Sequence, residues 1–274
     1  MFGELQQYPD FPSSHVASRQ IDVWLPPSYQ EMTTQHFPVV YMQDGQNLFT
    51  PATSFLGVDW GIDDAMQRLI CEHRIRPALV VGIWNTPQRV LEYMPQRPLM
   101  KAPRMWRERL KRGRWTVRTP LSDAYLTFLL TEVKPFIERQ YRTLPERQHT
   151  FVMGSSMGGL LALYAVCEYP HVFAGAGCLS THWPAAHGIV VDYLRQRAPK
   201  AGNHRWYFDY GTRTVDAQYA PYQEEVDQVM CTKGYTQGVD WLTMRCEGAE
   251  HSERAWRERV HLPLEFLLGT DSRP

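Results

Sequence analysis

The chain has 274 residues, of which 43% are hydrophobic and 21% charged, the composition of a folded globular protein and not of a disordered one. Lys+Arg and Asp+Glu balance at 29 each, so overall charge gives no argument for nucleic acid or a membrane surface as partner. The longest apolar runs are strand-sized, which excludes a transmembrane helix. Met1-Phe2-Gly3-Glu4 has neither the basic start nor the apolar core of a secretory signal, so a cytoplasmic location is expected.

Strand-like and helix-like segments alternate along the chain. Val16 to Leu25 reads as an N-terminal strand region closed by Pro26-Pro27, and Pro38-Val39-Val40-Tyr41-Met42 as a buried strand. Gly61 to Ile75 has a helical pattern with Ala65, Leu69 and Ile70 on one side, and Ala78 to Trp84 is a second buried strand. The stretch 86–119 breaks the rhythm. It opens with Pro87, Pro95, Pro98 and Pro103, and continues with Lys101, Arg104, Arg107, Arg109, Lys111, Arg112, Arg114 and Arg118 around Trp106 and Trp115. A long irregular insertion of this kind is expected to be a lid or specificity loop, or else a solvated basic excursion. Ser122 can cap a helix running to Glu138 with a kink near Pro135. Phe173 to Leu179, Arg205 to Tyr210 and Trp241 to Cys246 read as further strands, and Val215 to Lys233 as a helix stopped by Gly234. Such alternation predicts one α/β domain spanning 1–274, with a mainly parallel sheet covered on both faces.

The five cysteines are odd in number, widely spaced and never in a CxxC. The ten histidines show no HExxH. Reduced thiols and no metal site are expected.

Gly154-Ser155-Ser156-Met157-Gly158-Gly159 carries the most chemistry. The β-type run Thr150-Phe151-Val152-Met153 precedes it, and the helical run Leu160 to Val166 follows. A strand entering a helix through Gly-x-Ser-x-Gly exposes the central serine on a strained turn, so Ser156 is the candidate nucleophile. The Met157 N–H, at the helix N-terminus, is then a candidate oxyanion donor. A phosphate-binding loop would end in Gly-Lys-Ser/Thr, which is absent.

A serine hydroxyl needs a base, and the base an orienting carboxylate. On this architecture both follow the serine, each after a later strand. His251 lies in the loop Glu247 to Ser252 between the last strand and the terminal helix Glu253 to Leu268. His171 lies just past the elbow helix with no strand of its own, His204 precedes its strand at the wrong edge, and His261 sits inside the terminal helix. Asp216, at the turn after the Arg205–Tyr210 strand, is the candidate acid, with Asp209 as its competitor and Asp192 further off. The second oxyanion donor is expected from the loop after Val39–Met42, as the Gln46 N–H. His182 and Trp183, just past the strand ending at Ser180, are candidate substrate contacts.

Together these stretches resemble the esterase family of α/β-hydrolases that includes enterochelin esterase, esterase D and feruloyl esterases. The resemblance runs through Val23 to Tyr29, Val40 to Phe49, Val81 to Thr86, Gly154 to Gly159, Phe208 to Thr212 and Gly248 to Ser252. It implies the α/β-hydrolase fold and a serine carboxylesterase acting on a small-molecule ester without metal or organic cofactor. It supports Ser156, His251 and Asp216 position by position and leaves the ester open. An acyltransferase with the same triad and a non-catalytic binding protein on the same fold are the alternative readings.

Overall fold

A computed structural model describes residues 3–101 and 119–269. Eight strands form one sheet in the order β1-β2-β4-β3-β5-β6-β7-β8. They are β1 (Glu4–Phe11), β2 (Arg19–Leu25), β3 (Val39–Gln43), β4 (Leu79–Ile83), β5 (Thr150–Ser155), β6 (Gly175–Leu179), β7 (Arg205–Gly211) and β8 (Trp241–Cys246). The sheet is parallel from β4 across to β8, and β2 joins β4 antiparallel. The carboxyl ends of β3, β5, β6, β7 and β8 therefore share one edge, which is where the motif residues were expected.

Continuous apolar runs form these strands because both faces are covered. In β3, Val39 and Tyr41 enter one core cluster while Val40 and Met42 enter the other, as strand alternation requires. The helix Met157–Glu168 is apolar all round, and every residue from Met157 to Cys167 is buried. A helix with no polar face belongs in the middle of a domain, and this one packs on β5 and β6.

Several expectations need adjusting. β1 lay outside the strand pattern. It is a half-exposed edge strand whose pairing with β2 shifts register between Tyr8 and Phe11, around Pro9. The Ser122 helix runs Ser122–Phe128, passes through a π-turn at Leu129–Val133, and resumes as Lys134–Gln140. The distortion falls just before Pro135, which has no N–H to give the preceding turn. The terminal helix divides into Glu253–Arg259 and His261–Leu268. Part of the expected irregular insertion is ordered into the short helices Arg89–Tyr93 and Gln96–Lys101. Pro98 falls in the first turn of the second, where a missing N–H costs nothing. The rest of the basic stretch, with Trp106 and Trp115, lies outside the described residues. No described helix is long and apolar enough to cross a membrane.

A buried ion pair ties the Arg89–Tyr93 helix to the sheet. The Arg19 guanidinium in β2 donates to both oxygens of Glu92 at 2.9 and 2.7 Å, and both side chains are 1% exposed. Removing one partner leaves a buried charge alone. Arg19→Met is expected to lose about 3–5 kcal/mol of stability, with much of it restored by adding Glu92→Leu. Urea unfolding of the two variants checks this.

Candidate active site

Ser156 occupies the turn between β5 and the helix Met157–Glu168 at φ 54° and ψ −118°. Close packing makes the neighbouring glycines necessary. A Cβ on Gly154 would stand 2.6 Å from the Gly158 carbonyl carbon, and one on Gly159 would stand 2.8 Å from Thr181 Oγ1. The backbone is pinned on both sides: the Ser156 N–H donates to the Leu179 carbonyl at 2.9 Å, and the Ser156 carbonyl accepts from the His182 N–H at 3.1 Å.

The structure brings Ser156, His251 and Asp216 into one chain of hydrogen bonds. His251 Nε2 is 2.9 Å from Ser156 Oγ, and His251 Nδ1 is 2.6 Å from Asp216 Oδ1. A carboxylate can only accept, so the hydrogen belongs on Nδ1 and Nε2 is left bare towards the serine hydroxyl. The His251 loop is held by its N–H, which donates to Thr214 Oγ1 at 2.9 Å. Ser252 caps the following helix through the Ala255 N–H.

Asp216 is fully buried. Its second oxygen accepts from Ser180 Oγ at 2.6 Å and from the Gly211 N–H at 2.7 Å. Burial alone would push this carboxyl up. Hydrogen bonds from His251, Ser180 and Gly211 outweigh it and hold the group below its ordinary value, so it stays ionised.

Sequence reasoning missed Ser180. Its backbone has φ 40°, and its hydroxyl is a fully used junction. It donates to Asp216 and accepts from Trp256 Nε1 at 3.0 Å and Arg259 Nη2 at 2.8 Å. Arg259 also reaches both oxygens of Asp209, each at 3.1 Å. Asp209 is thus committed to a buried guanidinium, and Asp216 is the carboxylate that meets His251. A serine at a strand end carries no local signal of such a role.

The loop after β3 packs against the same helix turn. A Cβ on Gly158 would lie 3.2 Å from Gln43 Cβ and 3.5 Å from Asp44 Oδ2. Among the described residues, neither the Gln46 N–H nor the Met157 N–H has a hydrogen-bond acceptor. The loop is fixed by Asp44, at φ 59°, whose oxygens accept from Arg89 Nε and Nη2 at 2.7 Å each and from Asn85 Nδ2 at 2.6 Å. Gln46 Oε1 accepts from the Asn85 N–H at 3.2 Å. This clamp spans two βα loops and was not legible locally.

The two expected substrate contacts part company. His182 is half-buried beside the serine, its ring centroid 6.5 Å from that of His251. Trp183 does not line the cleft. It is fully buried, packs on Phe208 and donates to Gln223 at 3.1 Å, because the chain turns inward immediately after His182. Among the described residues no group of three or more His, Cys, Asp or Glu is placed to hold a metal ion.

A parallel sheet with a serine on a strand–helix turn and later loops converging on it has the α/β-hydrolase fold. The family described as "Putative esterase" matches residues 14–262, and the chain belongs to it. It is an esterase. It is 27% identical over 268 residues to the uncharacterized protein YbbA of Bacillus subtilis, covering 94% of this chain and 96% of that one. A ferulic acid esterase structure superimposes with a TM-score of 0.67 at 18% identity, covering 98% of this chain and 99% of the other. An IroE-like serine hydrolase from Shewanella oneidensis gives 0.69 at 18% identity, covering 96% and 79%.

Burial, reinforced by the charges of His251 and Arg89, pushes His182 from its ordinary 6.5 down to about 4. Between these values the unfolded chain binds a proton that the folded chain refuses, so stability is full above this window and falls as pH drops through it. The urea midpoint of the wild type is therefore expected to fall more steeply from pH 6.5 to 4 than that of His182→Gln.

Proposed function

We propose that the protein is a serine carboxylesterase that works through an acyl-enzyme, with Ser156 as nucleophile, His251 as general base and acid, and Asp216 as the orienting carboxylate. The continuous chain from Ser156 Oγ to Asp216, with links of 2.9 and 2.6 Å, carries the reading. His251 Nε2 takes the hydroxyl proton as Ser156 attacks the ester carbonyl. The imidazolium that forms is stabilised by the buried Asp216. The Met157 and Gln46 N–H groups receive the oxyanion, since both are unpaired among the described residues and their segments pack together at Gly158. His251 then protonates the leaving alcohol, and water repeats the sequence on the acyl-enzyme.

The substrate is a small-molecule ester. The mechanism draws on no group beyond the chain's own side chains and backbone. The cytoplasmic location and the single-domain organisation belong to the same reading.

Turnover of a panel of p-nitrophenyl esters tests the assignment. Ser156→Ala is expected to lower kcat about 10⁶-fold and Asp216→Asn about 10⁴-fold, with unfolding midpoints near that of the wild type. Wild-type turnover in folded Ser156→Ala would overturn it.

A further inference from the structure

Two histidines face this site, and their Nδ1 atoms meet opposite partners. His251 Nδ1 meets a carboxylate. His182 Nδ1 is 2.7 Å from the hydroxyl of Tyr219. Tyr219 is fully buried, and among the described residues that ring nitrogen is the one partner its hydroxyl has. If Nδ1 carried the hydrogen, the phenol O–H would be sealed in the protein with nothing among the described residues to accept it. The phenol therefore donates to Nδ1, and the hydrogen of the neutral ring sits on Nε2. Burial keeps the ring neutral at ordinary pH.

The two imidazoles are thus held in opposite tautomers. His251 presents a bare nitrogen, and His182 presents an N–H. The His182 Nε2 has no partner among the described residues, and it is not one of the atoms sealed from solvent. Its place is fixed from three sides. The His182 N–H is bonded to the Ser156 carbonyl, and the ring packs near those of His251 and Tyr219. Tyr219 is itself tied to the acid turn, where its N–H donates to the Asp216 carbonyl at 2.9 Å.

We infer that His182 is a specificity-determining contact for the alcohol portion of the ester. Its Nε2–H donates to an acceptor oxygen that the leaving alcohol carries near the scissile bond. The inference rests on the serine-esterase reading, in which His251 returns its proton to the leaving oxygen. The alcohol then lies on the His251 side, and His182 is the neighbouring ring with an unused donor. A site built to donate to such an oxygen discriminates against an alcohol lacking it, because the N–H is left unpaired. Tyr219 acts as a positioning residue that fixes the tautomer.

Two measurements test this. The first is the long-range ¹H–¹⁵N spectrum of histidine-labelled wild type at pH 7, assigned with His182→Gln. It is expected to show His182 protonated at Nε2 and bare at Nδ1. A proton on Nδ1 overturns the inference and requires no turnover to observe. The second compares kcat/KM for the 2-methoxyethyl and butyl esters of one acid, chosen as the acyl group turned over fastest among p-nitrophenyl esters. The two esters are nearly isosteric and give the same acyl-enzyme, so the ratio reads the alcohol side alone. The methoxyethyl-to-butyl ratio is expected to fall about tenfold in His182→Phe, less in Tyr219→Phe, and to recover in part in His182→Gln, whose amide still donates. An unchanged ratio in folded His182→Phe overturns the inference while leaving the esterase reading standing. Absence of turnover of every p-nitrophenyl ester overturns both.

Discussion

Ser156 sits at φ 54° and ψ −118°, a conformation that costs a non-glycine residue roughly 1–3 kcal/mol, and the packing around β5 keeps it there. Relaxation is blocked because Gly154 and Gly158 are already in contact, and because β6 and the His182 segment hold both backbone groups of the serine. The buried helix behind it has no free face through which to shift. Strain at this one residue lifts its hydroxyl out of the sheet edge towards His251. The loops after β3, β6, β7 and β8 are then arranged around a point that the backbone fixes.

Electrostatics divides the work between two buried carboxylates. Asp209 and Asp216 are both fully buried near the end of β7. Arg259 engages Asp209 with two nitrogens, so that charge is matched by a guanidinium that is itself almost fully buried. Among the described residues Asp216 has only neutral donors besides His251, and its charge is left to act on the imidazole. Ser180 Oγ touches both systems and fixes their separation. Two carboxylates seven residues apart thus do different jobs because of what surrounds them.

Much of this was legible in the sequence. The glycines of the elbow, the strand before it and the apolar helix after it mark Ser156 because each is a local requirement of the turn. His251 and Asp216 could be placed by strand order, and the structure brings both to Ser156. What escaped the sequence is non-local. The Asp44–Arg89 clamp joins loops 45 residues apart, and the Ser180–Arg259 contact joins residues 79 apart. Nothing in the periodicity of either segment announces them. β1 escaped because an edge strand with one wet face and a proline has no apolar pattern to show. Trp183 was misplaced because a strand-end position does not say whether the next residue faces the cleft or the core.

Each of these contacts matters to catalysis through one property, the activation of Ser156 as a nucleophile. Reaction of the folded protein with a fluorophosphonate, followed by intact mass and peptide mapping, tests it without knowledge of the natural ester. A single adduct is expected, on Ser156, with its formation slowing sharply in His251→Ala. An adduct on another residue, or none on Ser156 at high probe concentration, would contradict it.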